Sequence, residues 1–151
     1  ERGPELVRLL ANQPLNWHQR SQATQAQHPV QIHLADTTGE LTRLTQVADL
    51  AFIGKSLAPN SGGQTPIEAA GLGVPLLMGP HMNNFRVVAQ SLRANGAARV
   101  VADEAQLEAQ VLELAKDASA RESMRQAGST WHEQSKGSSA RIAASILAAL
   151  K

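Results

Sequence analysis

The stretch from residue 54 to residue 84 reads GKSLAPNSGGQTPIEAAGLGVPLLMGPHMNN and combines several glycines with small polar side chains. The apolar residues 50–53 just before it predict a buried strand, and Pro66 predicts the start of a helix. Gly62 and Gly63 fall between the two, where a backbone without Cβ atoms can turn sharply and approach a ligand. Because the free amides at a helix start favour an anion, the stretch predicts a phosphate-like ligand.

A purely architectural turn is the alternative, since many α/β proteins have a glycine turn here without a ligand. The spacing differs from a P-loop, because Lys55 and Ser56 precede the glycines instead of following them. It also differs from the dinucleotide fingerprint, because Leu76 stands where the third glycine counted from Gly71 should be. The residues therefore predict a phosphate group without identifying the molecule that carries it.

The composition limits the class of protein. A chain of 151 residues has the length of one domain, and we predict a single domain over residues 1–151. Its 14 basic and 13 acidic residues leave a net charge of +1, and only 3% of the residues are aromatic, which argues against a nucleic-acid partner. The absence of cysteine excludes disulfides and thiolate metal sites and fits a cytoplasmic location, and the scattered histidines lack metal-ligand spacing.

The sequence predicts neither a membrane span nor a signal peptide at its start. The apolar runs are too short to span a membrane. The polar start at residues 1–4 resembles neither a signal peptide nor a translation start, so we expect the chain to begin within a longer protein.

A strand, a polar turn and a helix follow one another three times along the chain. We predict the strands at residues 30–34, 48–54 and 76–78, followed by the turns at 36–40, 54–65 and 79–84. This repetition predicts an α/β fold with a Rossmann-like parallel sheet flanked by helices. Such sheets bind ligands outside the carboxyl ends of their strands, so we expect the three turns to face one crevice.

The remaining elements are predicted as the frame of the fold. We expect a helix from Pro4 to Pro14, a brief strand within 15–21, a helix from Phe85 to Asn95 and a strand at 98–101. Helices over about 103–151, the first capped by Asp103 and the last in the tail 138–150, complete the chain. In the turn at 36–40, Asp36 and Thr37 are the N-cap candidates for the next helix, whose core face is predicted at Leu41, Leu44, Val47 and Ala48. The turn either only caps this helix or also offers amides to a ligand.

Four blocks resemble the C-terminal nucleotide-binding domain of the 3-deoxy-D-manno-octulosonic acid (Kdo) transferases. The blocks are ADTTGEL at 35–41, ADLAFIGKSL at 48–57, GGQTPIEAA at 62–70 and GPHMNNF at 79–85. Their shared order and spacing cover almost the whole chain. Kdo transferases are inverting glycosyltransferases that move Kdo from CMP-Kdo to the lipid A precursor of lipopolysaccharide. The resemblance therefore implies the later part of the C-terminal half of a GT-B glycosyltransferase.

The resemblance also implies a set of nucleotide- and donor-binding residues. It implies that Glu68 binds the ribose hydroxyls. The phosphate would lie against Ser56, Gly62, Gly63, Gln64 and Thr65, and the nucleotide pocket would be lined by Thr38, Gly39, Glu40, Pro80, His81 and Asn84. Gln64 and Thr65 replace the histidine and asparagine that are common in the family, yet both can donate hydrogen bonds. Lys55 stands where glycine is frequent and adds a positive charge.

The resemblance further implies that several parts of the enzyme lie outside this chain. The acceptor-binding domain, its membrane-associating N-terminus and the acidic general base would lie outside residues 1–151. We therefore expect no catalytic residue in this fragment and no activity when it is alone. The parent enzyme would lie at the cytoplasmic face of the bacterial inner membrane, contacting the membrane and the lipid A precursor only through its N-terminal part. CMP-Kdo would be its donor substrate, without a metal or cofactor.

Two other functions share the glycine turn. One is a non-catalytic α/β module that binds a nucleotide or phosphate and acts through a partner. The other is a GT-B transferase for a UDP-sugar, which would also have a glutamate at the helix start. A preference for CMP over UDP separates the second from a Kdo transferase.

Overall fold

The first of two compact units contains a short parallel sheet. A computed structural model describes residues 3–136, 146 and 148, and its chain divides into the units Glu1–Leu44 and Thr45–Lys151. The first unit holds helix α1 (Gly3–Ala11) and strands β1 (Trp17–Gln19) and β2 (Ile32–Leu34). The strands pair in parallel with Trp17 opposite Ile32, and the exposed His33 ring stacks on His18. The helix and both strands predicted for this region are confirmed.

The second unit contains a three-stranded parallel sheet in the order β3-β4-β5. Its strands are β3 (Ala51–Ile53), β4 (Leu76–Met78) and β5 (Ala98–Val100). Its helices are α3 (Ile67–Gly71), a 3-10 turn (Asn83–Phe85), α4 (Arg86–Ala94), α5 (Glu104–Lys116) and α6 (Ala118–Ser135), while α2 (Leu41–Gln46) runs from the first unit into the second. All three residues of β4 are buried, because a central parallel strand is covered on both faces.

The core of the second unit lies on both sides of β4. Leu76 and Met78 belong to a buried cluster that also contains Leu92 of α4 and Trp131 of α6. On the other face, Leu77 packs in a second buried cluster, formed with Val101, Leu114 and Met124. Helices therefore flank a parallel sheet, and the predicted Rossmann-like α/β fold is confirmed.

Helices α5 and α6 each begin with an aspartate N-cap, Asp103 and Asp117. The Asp103 carboxylate accepts a hydrogen bond from the Gln106 amide at 2.8 Å, as predicted. Helix α6 runs through Gly128 and ends at Ser135. A Cβ at Gly128 would lie 3.1 Å from the carbonyl oxygen of Ala70, so this glycine permits close packing of α3 and α6 instead of ending a helix. Of the tail helix predicted at 138–150, all but residues 146 and 148 lies outside the described residues.

The predicted core face of α2 is wrong in two of its four positions. Leu41 is 68% exposed and Val47 is 81% exposed, whereas Leu44 and Ala48 are half-buried. Helix α2 ends at Gln46, so Val47 no longer follows the helical periodicity from which its burial was predicted. Among the described residues, no helix combines the length and the apolar character needed to cross a membrane.

Candidate functional site

The glycine loop, defined as residues 54–66, folds back on its own backbone. The amide of Gly63 donates to the carbonyl of Lys55 at 2.9 Å, and the amide of Gln64 donates to Gly54 at 3.0 Å. Lys55 and Gly63 both have positive φ angles, 58° and 68°. A Cβ at Gly63 would also collide with the Met82 side chain. The amides of Gly63 and Gln64 are therefore hydrogen-bonded inside the loop. Position 63 requires glycine because its φ angle is positive and because a Cβ would collide with Met82.

Ser56 joins the carboxyl ends of β3 and β4. Its side chain is fully buried; the hydroxyl donates to the carbonyl of Ile53 and accepts from the Gly79 amide at 2.8 Å. The Ser56 carbonyl accepts from the His81 amide at 3.0 Å. A Cβ at Gly79 would collide with the Ser56 carbonyl, so only glycine fits this crossing. The Ser56 hydroxyl is satisfied within the protein and holds two loops together.

The loop at 79–84 lies along the glycine loop. The Asn84 amide donates to the carbonyl of Gly62 at 3.0 Å. A Cβ at Gly62 would lie 2.7 Å from the Asn84 side-chain nitrogen, so the absence of a side chain at Gly62 admits this approach. Predicted site residues from two separate stretches are thus brought together in the second unit: Ser56, Gly62, Gly63, His81 and Asn84.

Three further predicted residues lie on the exposed side at the start of α3. Gln64, Thr65 and Glu68 are all exposed. The Thr65 hydroxyl accepts from the Ile67 amide at 3.4 Å, but Pro66 itself occupies the N-cap position and no side chain caps it. These three exposed residues therefore lie beside the start of α3.

The Glu40 carboxylate of the first unit is held by an arginine. Arg20 donates to both Glu40 oxygens, with N–O distances of 2.6 and 3.0 Å, and the Thr37 hydroxyl donates as well. These bonds, chiefly those from Arg20, lower the Glu40 pKa to about 2. Of its predicted neighbours, Thr38 is exposed and Gly39 has a φ of 85°. Arg20 was missed because 20 residues of sequence separate it from Glu40.

Asp36 also fixes the turn at 36–40. It does not act as the N-cap that the sequence predicted, because α2 begins only at Leu41. Its carboxylate accepts from the Ser21 amide at 2.9 Å, the Ser21 hydroxyl at 2.7 Å and the Gln19 side chain at 2.7 Å. These bonds, with that of the Ser21 hydroxyl first, lower the Asp36 pKa to about 2. The ionised carboxylates of Asp36 and Glu40 thus hold the turn at 36–40 in place.

A cavity of about 300 Å³ opens beside the loop at 79–84. Gly79 and Pro80 form part of its lining, as do Arg86, Gln90 and Arg93 of α4. Sequence reasoning missed these α4 residues. The available indication was the stretch between Glu68 and Asp103, which contains three arginines and no acidic residue. Elsewhere in the described part of the chain, no group of three or more histidines or carboxylates is arranged to hold a metal ion.

Comparison with known proteins identifies the relatives of this chain. No protein-family model matches it. The 3-deoxy-D-manno-octulosonic acid transferase of Bordetella pertussis is 35% identical over 102 residues, which are 68% of this chain and 24% of that protein. Its counterpart in Haemophilus influenzae is 30% identical over 129 residues, 85% of this chain and 30% of that protein. The chain is a relative of the Kdo transferases.

A solved structure identifies a domain that this chain resembles. The C-terminal CMP-Kdo binding domain of WaaA from Acinetobacter baumannii matches with a TM-score of 0.80 and 27% identity. The match covers 86% of this chain and 67% of that domain. The predicted resemblance to the C-terminal domain of Kdo transferases is confirmed. The chain spans about a quarter of the length of the curated relatives, with shares of 24% and 30% for the two named above.

Proposed function

We propose that this chain is the donor-binding part of a Kdo transferase and holds CMP-Kdo. The observation that carries the proposal is the TM-score of 0.80, over 86% of the chain, to a domain named for CMP-Kdo binding. The two loops of the second unit support it, because they follow β3 and β4 at the carboxyl edge of a parallel sheet. This is the edge at which open α/β sheets bind ligands.

The geometry of these loops suggests a division of roles. Ser56 and Gly63 hold the loops in place, since the Ser56 hydroxyl and the Gly63 amide are bonded inside the protein. We propose that the exposed polar groups of Gln64 and Thr65 face the phosphate and that Glu68 binds the ribose hydroxyls. Gly62, Pro80, His81 and Asn84 would complete the nucleotide pocket in this unit, and the nucleotide roles of Thr38, Gly39 and Glu40 stay predictions.

The proposed reaction requires fixed donors at the leaving group. An acceptor hydroxyl oxygen forms a bond to the anomeric carbon of Kdo, while the bond from that carbon to the phosphate oxygen breaks and CMP departs with the electron pair. The hydroxyl proton passes to a base. Donors that are already oriented stabilise the charge that grows on the phosphate without having to reorganise. This stabilisation is the part of catalysis that we assign to the chain.

The whole enzyme would supply the remaining parts of the reaction. We propose that another of its domains contributes the acidic base, binds the lipid A precursor of lipopolysaccharide and contacts the membrane. The enzyme would work at the cytoplasmic face of the bacterial inner membrane. We further propose that donor binding requires neither a metal nor a cofactor, so EDTA should leave the affinity for CMP unchanged.

Calorimetry with CMP tests the proposed donor site. Replacement Glu68→Ala should weaken CMP binding by about 1.5 to 3 kcal/mol, because a charged hydrogen bond to the ribose is lost. Glu108→Ala is the matched control, since it removes an exposed carboxylate from α5 in the same unit. Circular dichroism would show that both variants remain folded.

Three results would count against the proposal. Unchanged CMP affinity in folded Glu68→Ala would remove Glu68 from the site. Tighter binding of UDP than of CMP would favour a transferase for a UDP-sugar. Failure of the wild-type chain to bind either nucleotide would contradict a donor-binding function for the chain.

A further inference from the structure

The cavity beside α4 combines an apolar floor with a cationic wall. Met78, Ala89 and Val100 contribute apolar lining, and Met78 and Ala89 are almost completely buried. The wall carries the two guanidinium groups of Arg86 and Arg93. Such a cavity suits a small molecule that has a carbon skeleton and an anionic group.

Helix geometry places both arginines on the same side of α4. They are seven residues apart, which is about two turns and about 10 Å along the helix axis. Gln90 lies between them on this face and also lines the cavity, where its amide can donate a further hydrogen bond. The wall therefore presents a row of donors to one space.

In the described part of the chain, the side chains of Arg86 and Arg93 have no hydrogen-bond or ion-pair partner. Other arginines do: Arg20 pairs with Glu40, Arg99 with Glu113 and Arg125 with Glu122. No carboxylate lines the cavity, so nothing in its wall neutralises the two positive charges. A guanidinium group presents paired donors that match the two oxygens of a carboxylate.

We propose that this cavity binds the carboxylate of the donor's acidic sugar, with Arg86 and Arg93 as its ligands. The inference rests on the proposed function, because Gly79 and Pro80 line the cavity and also begin the loop assigned to the nucleotide pocket. A CMP-linked octulosonic acid carries one anion in its phosphate and a second in its sugar carboxylate. The apolar floor would pack against the carbon skeleton of the sugar, and the cavity would select an acidic sugar over a neutral one.

Calorimetry with two ligands separates the sugar contact from the nucleotide contact. In the 151-residue chain, Arg86→Gln and Arg93→Gln should each weaken CMP-Kdo binding by roughly tenfold or more, as expected for a lost charged hydrogen bond. Both should leave CMP binding within about twofold of the wild type, since CMP lacks the carboxylate. Lys116→Gln is the matched control, because it removes an exposed positive charge at the end of α5. Equal losses for CMP and CMP-Kdo would overturn the inference and make the arginines phosphate ligands.

Free Kdo provides a second measurement that does not depend on the nucleotide. Its addition should shift the Nε–Hε NMR resonances of Arg86 and Arg93, whereas the neutral amide of Kdo should not. Inorganic phosphate is the competing probe: shifts caused by phosphate and not by free Kdo would overturn the carboxylate assignment. If the chain fails to bind CMP yet free Kdo shifts both resonances, the donor function fails and the acid-binding cavity stands. If free Kdo shifts neither resonance, the cavity inference fails, whatever CMP does.

Discussion

The glycine loop of the second unit and the turn at 36–40 of the first are both polar turns between a strand and a helix, but they are held by different forces. The glycine loop is fixed by backbone hydrogen bonds and by the buried Ser56 hydroxyl. The turn at 36–40 is fixed by the carboxylates of Asp36 and Glu40. The glycine loop depends on glycines, whose missing side chains leave room where its backbone contacts the neighbouring loop. The turn at 36–40 depends on the ionisation of its two carboxylates.

Gly79→Ala should have the largest effect on stability. The new Cβ would collide with the backbone carbonyl of Ser56, and backbone cannot move away as a side chain can. We expect a loss of about 3 kcal/mol in the free energy of unfolding. Gly54→Ala is the control within the same loop system, because a Cβ there meets no atom within 4 Å. Urea unfolding followed by circular dichroism measures both; equal stability of the two variants would contradict the tight crossing at Gly79.

Gly63→Ala and Gly39→Ala compare the two turns directly. Both glycines have positive φ, so alanine at either position costs about 1 kcal/mol for the backbone conformation. At Gly63 the Cβ must also displace the Met82 side chain, whereas at Gly39 it meets nothing within 4 Å. The total loss should be about 2 kcal/mol at Gly63 and about half of that at Gly39. Equal losses at Gly39 and Gly63, measured by urea unfolding, would show that Met82 adapts freely.

Acid should loosen the turn at 36–40 before it affects the Ser56 contacts. The pKa values of Asp36 and Glu40 are lowered from 3.8 and 4.5 to about 2 in the folded chain. Their stabilising contribution is therefore complete above about pH 4.5 and is lost as the pH falls through about 2. The hydroxyl and amide groups that meet at Ser56 do not ionise in this range.

The amide resonances of Ser21 and Gly79 report on this difference. The Ser21 amide donates to Asp36, so its NMR shift should titrate with a midpoint near pH 2. The Gly79 amide donates to the Ser56 hydroxyl and should not follow that titration. A midpoint near pH 4 for Ser21 would mean that Asp36 does not accept these hydrogen bonds in solution.

Much of the fold was predictable because its elements depend on nearby residues. β4 is a short apolar run between Pro75 and Gly79, and it was predicted with its observed boundaries. Asp103 was recognised as a cap because its partner, Gln106, lies only three residues away. The exposure of Leu41 and Val47 was not predictable from periodicity, since it depends on where α2 ends and on what packs against it.

The sequence predicted that residues of the glycine loop and of the loop at 79–84 lie together, but not the contacts that each residue makes. Gly62, Gly63 and Asn84 were predicted as binding residues, and the structure places the loops that contain them side by side. The burial of Ser56 could not be foreseen, because its hydroxyl bonds to Gly79, a residue 23 positions away. The contact between Met82 and Gly63 was missed as well, because these two residues are also far apart in the sequence.

The sequence by itself determined the alternation of strands and helices, the parallel sheet and the resemblance to the Kdo transferases. These properties follow from apolar periodicity, from local turn residues and from four ordered blocks. Only the tertiary structure decided that Ser56 is an internal tie, that Gly79 marks the tightest crossing, and that Arg86 and Arg93 share one cavity. Each of these depends on surfaces that meet only when β3, β4, β5 and α4 pack, because contact and burial are properties of the folded chain.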